Sequence, residues 1–425
     1  MTAIPTGALR SSWRRFALAL GPGVVVMLAD TDAGSVITAA QSGAEWGYRL
    51  LGLQFAMIPL LYAMQELTIR LGLGTQRGFA ELVRLRYGRT VAVVAFAAVA
   101  ASCFGALATQ LAALGGLAQA LGAPAAPVVV ATVAAFIAVA SLNAYASVER
   151  VALALGLFEL AFVIVAWRAS PDVHDMARQL VDAPVQDARF LYLAAANIGT
   201  TFLPWAAFYQ QSAMVGKGLT PGHLRAARLE TLGGAILCQV VTAAILVAGA
   251  ATVRHGVGGF GVGGFGVGGS GVGAAGFASV GALSRTFTQA LGPGVGEVVF
   301  AAGLCGSALV AALVAGLTVG WSFSETFGPR SAPGASRARL FAFVVLLVAA
   351  GVFVVSGADP IAISLAAGVA NAVLLPGVLA LLYVLARREL NGALALSPAY
   401  ARILGAAFAA LSAVALYTGA RGLIG

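Results

Sequence analysis

Two carboxylates placed two residues apart inside an apolar run are the strongest chemical signal in the chain. Leu28 to Ser35 reads Leu-Ala-Asp-Thr-Asp-Ala-Gly-Ser and interrupts an apolar segment from Phe16 to Ala44. In hydrocarbon an ionised Asp is costly unless it faces a cavity or a partner. Asp30 and Asp32 beside Gly34 therefore predict a break in a membrane helix, with hard oxygen ligands for a cation at mid-depth. In a regular helix, positions 30 and 32 point about 200° apart, so both can face one ion only where the helix unwinds. The other reading of Asp30 is a cap of the broken helix.

A second interruption is Asn197-Ile-Gly-Thr-Thr-Phe-Leu-Pro-Trp205. Pro204 removes a backbone donor and clashes with the preceding turn, and Gly199 and two threonines weaken the helix upstream. The expectation is unwinding near Gly199 to Leu203. Paired interruptions at equivalent places in two halves of a membrane chain point to an inverted-repeat transporter with a midplane site. Freed carbonyls and half-helix ends would supply further oxygen ligands. Membrane helices also carry Pro and Gly for packing, so that reading of the second segment stays open.

The elements that would position these residues follow from composition. Of 425 residues, 60% are hydrophobic and 10% charged, and mean hydropathy is +0.93. A soluble domain carries about 25% charged residues, so a polytopic membrane protein embedded in a lipid bilayer is expected. At about 20 apolar residues per span, eleven transmembrane helices are expected near 17–45, 49–71, 91–120, 125–145, 149–168, 189–214, 223–253, 288–321, 339–356, 360–386 and 399–421. The apolar run after Arg14 and Arg15 continues through the first break with no clear cleavage site, so it reads as an uncleaved first span.

The expected organisation is a cytoplasmic segment 1–16, a first repeat 17–168, an external loop 169–188, a second repeat 189–386 and an eleventh helix within 387–425. Most of the 25 Lys and Arg fall in loops on the amino-terminal side, notably Arg70, Arg77, Arg84, Arg86 and Arg89. This bias predicts a cytoplasmic amino terminus, an external carboxyl terminus and a plasma-membrane location, and it explains the net charge of +9 without a nucleic-acid partner. The loop Ser170–Ala188, with four aspartates, reads as solvated and external. The pentads Gly-Val-Gly-Gly-Phe within 256–276 lose too much backbone entropy on ordering to pack, so a flexible external loop is expected there. Cys103, Cys238 and Cys305 lack metal-ligand spacing and read as buried thiols. Glu66 and Glu159 read as structural partners of polar groups, Glu66 being the nearer to a cytoplasmic exit.

The residues also carry a family resemblance. Gly21 to Leu51 resembles the first helix of the NRAMP divalent-metal transporters, whose Asp-Pro-Gly-Asn motif reads Asp32-Ala33-Gly34-Ser35 here. Met64 to Gly72 is similar to the family's second helix, Gly199 to Trp205 aligns with its sixth-helix Gly-Ala-x-x-Met-Pro-His, and Leu375-Pro376 matches the tenth. Pro204 to Ala213 and Gly303 to Trp321 look most like the NRAMP-related magnesium transporters. The resemblance implies a LeuT-like 5+5 inverted repeat with helices one and six broken, and a divalent cation as transported substrate, with no cofactor.

Carried over residue by residue, the family's ligands become Asp32, Ser35, the carbonyls of Ala29 and Thr200, and Leu203. Leu203 in place of Met deletes the soft thioether that favours transition metals, and Ser35 in place of Asn shortens the arm. One or two carboxylates, several oxygens and spare volume suit Mg²⁺, which usually keeps several waters. Asp30 could offset the second charge of that ion. Thr201, Gln211 and Asn371 could receive the hydrated ion along its path, or could form helix–helix hydrogen bonds.

The family's proton relay has no counterpart. Val91 to Leu121 and Leu340 to Ser356 carry no charged residue or His, and Trp205 replaces the family's His. Uptake driven by membrane potential is therefore expected, for Mg²⁺ and also Mn²⁺, with a monomer as the unit. The main alternative is a proton-coupled Mn²⁺/Fe²⁺ importer of the same fold. A sodium-coupled solute symporter would have to overcome repulsion between its anionic substrate and the paired carboxylates. An enzyme is not indicated: there is no His-Glu-x-x-His, and His174, His223 and His255 all lie in loops or at helix ends.

Overall fold

The computed structural model describes residues 22–141, 157–254, 277, 279–292, 294–328 and 335–424, and every regular element among them is helical. The first membrane pass is split into α1 (Pro22–Asp30) and α2 (Ala33–Trp46), and α3 (Leu51–Thr75), α4 (Phe79–Ala120) and α5 (Ala125–Ser141) make passes two to four. The described part of the fifth pass is a 3-10 turn, Leu157–Leu160, running into α6 (Ala161–Arg168). After a short α7 (Val173–Gln179), the sixth pass is split into α8 (Ala188–Thr201) and α9 (Pro204–Gly216). The seventh pass is α10 (Leu224–Arg254), and α11 (Val280–Leu291) precedes the eighth. Passes eight to eleven are α12 (Val295–Phe327), α13 (Ala335–Val355), α14 (Pro360–Glu389) and α15 (Pro398–Ile424).

The chain is thus an all-α polytopic protein whose described passes follow the expected eleven, with breaks in the first and sixth. Among the described residues, 6 helices are individually long and apolar enough to cross a membrane. The split passes and the second, which carries Glu66 and Arg70, depend on their neighbours for that. The expected start of the first helix, the join of helices four and five within 142–156, and the Gly-rich stretch 256–276 lie outside the described residues.

Three boundaries differ from expectation. The third pass belongs to a helix that starts at Phe79 and kinks at Gly88 (φ 82°), so the Arg-rich connection is itself largely helical. The eighth pass starts at Val295 rather than near 288, because Gly292 (φ 90°) and Gly294 (φ 82°) turn the chain and leave residues 280–291 as a separate helix. The connection 169–188 contains α7, capped by the Asp172 carboxylate, and is tied back to the first hairpin by Gln179 to the Tyr48 amide and Asp182 to Arg49.

The two halves use equivalent packing. The second half of the first pass, α2, packs along α10, and the second half of the sixth, α9, packs along α3; these are the same relation with the halves exchanged. Likewise α4 packs on α14, and α12 on the described start of the fifth pass, while α4 and α12 form the largest contact among the described elements. Close approach needs small residues at the crossings. A Cβ at Gly199 would collide with the Gly368 carbonyl of α14, so only Gly lets α8 lie this near the tenth pass. The outcome is two broken passes held face to face by unbroken neighbours.

Candidate functional site

The first break forms because three groups divert the backbone from its helical partners. The Thr31 amide and hydroxyl both donate to the Met27 carbonyl (3.2 Å), closing α1. The Ala33 amide, which in a continuous helix would donate to Ala29, donates instead to Gln110 Oε1 on α4 (3.1 Å). The Ala29 carbonyl loses its helical donor. Asp32 has extended backbone (φ −74°, ψ 174°) and caps α2, its Oδ1 accepting from the Ser35 amide at 2.7 Å and its Oδ2 from Gln110 Nε2 at 2.7 Å. The cap of the broken helix is therefore Asp32 and not Asp30. Both Asp30 carboxylate oxygens are buried and have no hydrogen-bond partner among the described residues.

The second break frees a carbonyl by a different route. Phe202 ends α8 by donating to Ile198 (2.8 Å), and Pro204, which has no N–H, cannot serve the Thr200 carbonyl four residues back. The Ser35 hydroxyl fills that role. It lies 2.7 Å from the Asp30 carbonyl and 3.2 Å from the Thr200 carbonyl, bridging the two breaks. Leu203 caps α9 with no side-chain bond and is buried. Asp32, Ser35, Ala29, Thr200 and Leu203 are thus all buried at the paired breaks.

The path residues make helix–helix bonds. Thr201 Oγ1 accepts from Gln239 Nε2 of α10 (3.3 Å), Asn371 Oδ1 accepts from Ser102 Oγ of α4 (2.7 Å), and Gln211 Nε2 donates to the Arg77 carbonyl (3.0 Å) with its Oε1 unpartnered among the described residues. Glu66 is ion-paired, as expected. Its Oε1 accepts from Arg70 Nε at 2.5 Å and from Arg228 of α10, and Arg70 also donates to the Leu394 and Ala395 carbonyls. This clasp joins passes two and seven and the connection to pass eleven on the Arg-rich face. On the opposite face, Arg189 makes a bidentate pair with Glu45, and Asn197 bonds both Ser42 and Gln54, joining α8 to α2 and α3.

Sequence reasoning missed three participants. Gln110 clamps the first break from α4; a lone Thr109-Gln110 pair in an apolar helix was the available signal. Cys238 of α10 is buried and hydrogen-bonds the Thr31 side chain, so one sulfur lies beside the break. Of the other thiols, Cys103 is buried, but Cys305 is partly exposed and not fully buried as expected. Glu159 Oε1 is buried without a partner among the described residues. No Lys or Arg is ion-paired with Asp30, Asp32 or Glu159 among the described residues. Nor do three His, Cys, Asp or Glu side chains there converge as a direct metal cage.

The sequence from residue 23 to 421 matches the family described as natural resistance-associated macrophage protein-like, Nramp. The chain belongs to the Nramp family. It is 31% identical over 278 residues to the divalent metal cation transporter MntH 1 of Pseudomonas aeruginosa, covering 60% of each protein. It is 30% identical over 275 residues to MntH of Deinococcus radiodurans, covering 60% of this chain and 59% of that protein. These alignments span less than two thirds of the curated relatives. Among solved structures, the Eremococcus coleocola manganese transporter superposes with a TM-score of 0.74 at 16% identity, over 100% of this chain and 90% of that one. MhsT, solved in complex with L-phenylalanine, gives 0.62 at 15% identity, over 94% and 98%. At these identities the solved structures show a shared fold, and the residues at the paired breaks bear on what the Nramp chain binds.

Proposed function

We propose that this Nramp chain moves divalent metal cations across the membrane by alternating access, with largely hydrated Mg²⁺ as preferred cargo and Mn²⁺ also accepted. The observation that carries this reading is the pair of facing breaks. They present the Asp32 carboxylate beside two carbonyls, Ala29 and Thr200, that have lost their helical donors. Asp32, Ser35, Ala29, Thr200 and Leu203 form the ion site in this reading, with Asp30 close by to offset charge. All are oxygen donors except Leu203, which supplies no sulfur, and hard oxygen sites with retained water suit Mg²⁺.

Transport is proposed to be uncoupled from protons, since α4 from Val91 and the span from Leu340 to Ser356 hold no charged residue or His. A dication gains about 4.6 kcal/mol per 100 mV of inside-negative potential, twice the roughly 2.3 for a single charge. The Arg-rich face is assigned to the cytoplasm, the carboxyl terminus to the outside and the chain to the plasma membrane. The two repeats are assigned to 17–168 and 189–386, and a monomer is the working unit. Thr201, Gln211, Asn371 and Glu66 remain residues of the path walls.

A second reading, a proton-coupled Mn²⁺/Fe²⁺ importer, is favoured by one observation: the Cys238 sulfur beside Thr31. Proteoliposomes loaded with a metal-sensitive and a pH-sensitive dye separate the two. The proposal expects Mg²⁺ influx that scales with imposed potential, leaves internal pH unchanged and is lost in Asp32→Ala. Undiminished flux in that variant refutes the site, and acidification that tracks Mn²⁺ influx establishes the second reading.

A further inference from the structure

Besides the paired breaks, the molecule has a cavity of about 250 Å³ between the first, fifth and seventh passes. Its wall includes Met27 and Thr31 of the first pass, Glu159 and Leu160 of the fifth, and Glu230 and Cys238 of α10. It lies on the Arg-rich side of the first break, since α1 and the early part of α10 lead from that face. Most of its lining is apolar, so a carboxylate there needs a reason.

Glu159 is only 2% exposed, and its Oε1 has no hydrogen-bond partner among the described residues. It is within electrostatic reach of Asp32 and of the Cys238 sulfur, and that sulfur is in turn within reach of Asp30. Glu159 on the cavity wall and Asp30 and Asp32 at the adjoining break are thus three buried carboxyl groups, with no Lys or Arg ion-paired to any of them among the described residues. A buried unpaired carboxylate is expensive, and three of them repel one another. One dication at Asp32 offsets two charges at most. A second cation at Glu159 offsets the charge that remains, and the space to hold it, with several of its waters, is the cavity itself.

We propose that Glu159, with the Thr31 hydroxyl and the Cys238 sulfur beside it, forms a second divalent-cation site that takes the ion from Asp32 on its way to the Arg-rich face. In this proposal Asp30, buried at the same break, serves as an acid shared by the two sites. Glu230, on the same wall nearer that face, continues the acidic surface outward. The inference rests on the reading of Asp32 as the first site. It deepens that reading by giving the ion a relay rather than a single stop. Mn²⁺ is the better probe of this site than Mg²⁺, because Mg²⁺ gives up its waters reluctantly.

Calorimetric titration of the purified full-length protein with Mn²⁺ alone tests the relay, paired with Mn²⁺ flux into proteoliposomes. Wild type is expected to bind two ions. Glu159→Gln, which keeps the side-chain shape, is expected to lose one binding event, keep the other, and show a several-fold lower maximal flux at unchanged half-saturating concentration. The retained event shows that the variant is folded. Glu159→Asp restores part of the flux, which a packing role would not predict. Asp32→Ala is expected to abolish flux while Glu159 still binds an ion. If Glu159→Gln matches wild type in stoichiometry and flux while Asp32→Ala fails, the second site is wrong and the first stands. If wild type binds one Mn²⁺ and releases a proton that Glu159→Gln does not release, Glu159 carries a proton and the second-site proposal is overturned. If Asp32→Ala binds and transports like wild type, the underlying reading itself fails.

Discussion

Replacing Gln110 by Leu removes the clamp that shapes the first break. Gln110 makes two buried hydrogen bonds there, accepting from the Ala33 amide at 3.1 Å and donating to Asp32 Oδ2 at 2.7 Å. A hydrogen bond to a charged group contributes about 1.5–3 kcal/mol and a neutral one about 0.5–1.5, so about 2–4 kcal/mol of local order is lost. Not all of it reaches the ion. Asp32 Oδ1 keeps the Ser35 amide at 2.7 Å, so the carboxylate remains near its place with one arm loose. Substitutions of residues that orient a metal ligand cost roughly 10–100-fold in affinity, about 1.4–2.8 kcal/mol, which lies within the lost order. The expected result is Mn²⁺ binding by Gln110→Leu weakened to that extent, measured calorimetrically on protein that elutes as a single species. Gln110→Glu has the opposite sign: it still accepts from Ala33, repels Asp32 when no ion is present, and is relieved by a dication, so it binds Mn²⁺ at least as tightly as wild type. Wild-type affinity in the Leu variant would refute the idea that α4 organises the site.

Leu203→Met restores a thioether at the capping position of α9, and Cd²⁺ should then bind about tenfold or more tighter while Mg²⁺ changes little; equal shifts for both metals would place residue 203 away from the ion. Gly199→Ala puts a methyl group onto the Gly368 carbonyl, and overpacking of this kind costs about 1–3 kcal/mol; the thermal midpoint in detergent should fall, and an unchanged midpoint would show that α8 and α14 are not closely seated. Arg228→Ala removes one partner of Glu66 from α10 and leaves Arg70 in place. In a Cys103→Ser, Cys305→Ala background, N-ethylmaleimide should label Cys238 faster in this variant, because the clasp holds α10 over the cavity that Cys238 lines. An unaltered labelling rate would remove the clasp from the opening motion.

The number and order of the passes were legible because an apolar span has a fixed length and leaves little freedom. The two breaks were legible because carboxylates in hydrocarbon and a Pro after Gly-Thr-Thr each violate a local rule. Ala29 and Thr200 came only from the family resemblance; the structure supplies their physical reason, each being the carbonyl four residues before a missing donor, Ala33 diverted and Pro204 lacking one. What the sequence hid was tertiary. Gln110 meets Asp32 from 78 residues away, and Thr201, Gln211 and Asn371 are equally plausible in a path or between helices until their partners are seen. Cys238 reads as an inert thiol until Thr31 is found against it. The short helix at 280–291 carries Ser284, Arg285, Thr286, Thr288 and Gln289 and so did not read as a span, and the positive-φ Gly292 and Gly294 part it from the eighth pass.

The central claim is that Asp32 holds a dication between the two breaks, and anomalous diffraction from crystals of the protein grown with Mn²⁺ tests it most directly. The account predicts a manganese peak bounded by the Asp32 carboxylate and the Ala29 and Thr200 carbonyls, absent from crystals of Asp32→Ala grown under the same conditions. A peak that persists in that variant, or a wild-type crystal whose only manganese lies away from both breaks, would contradict it.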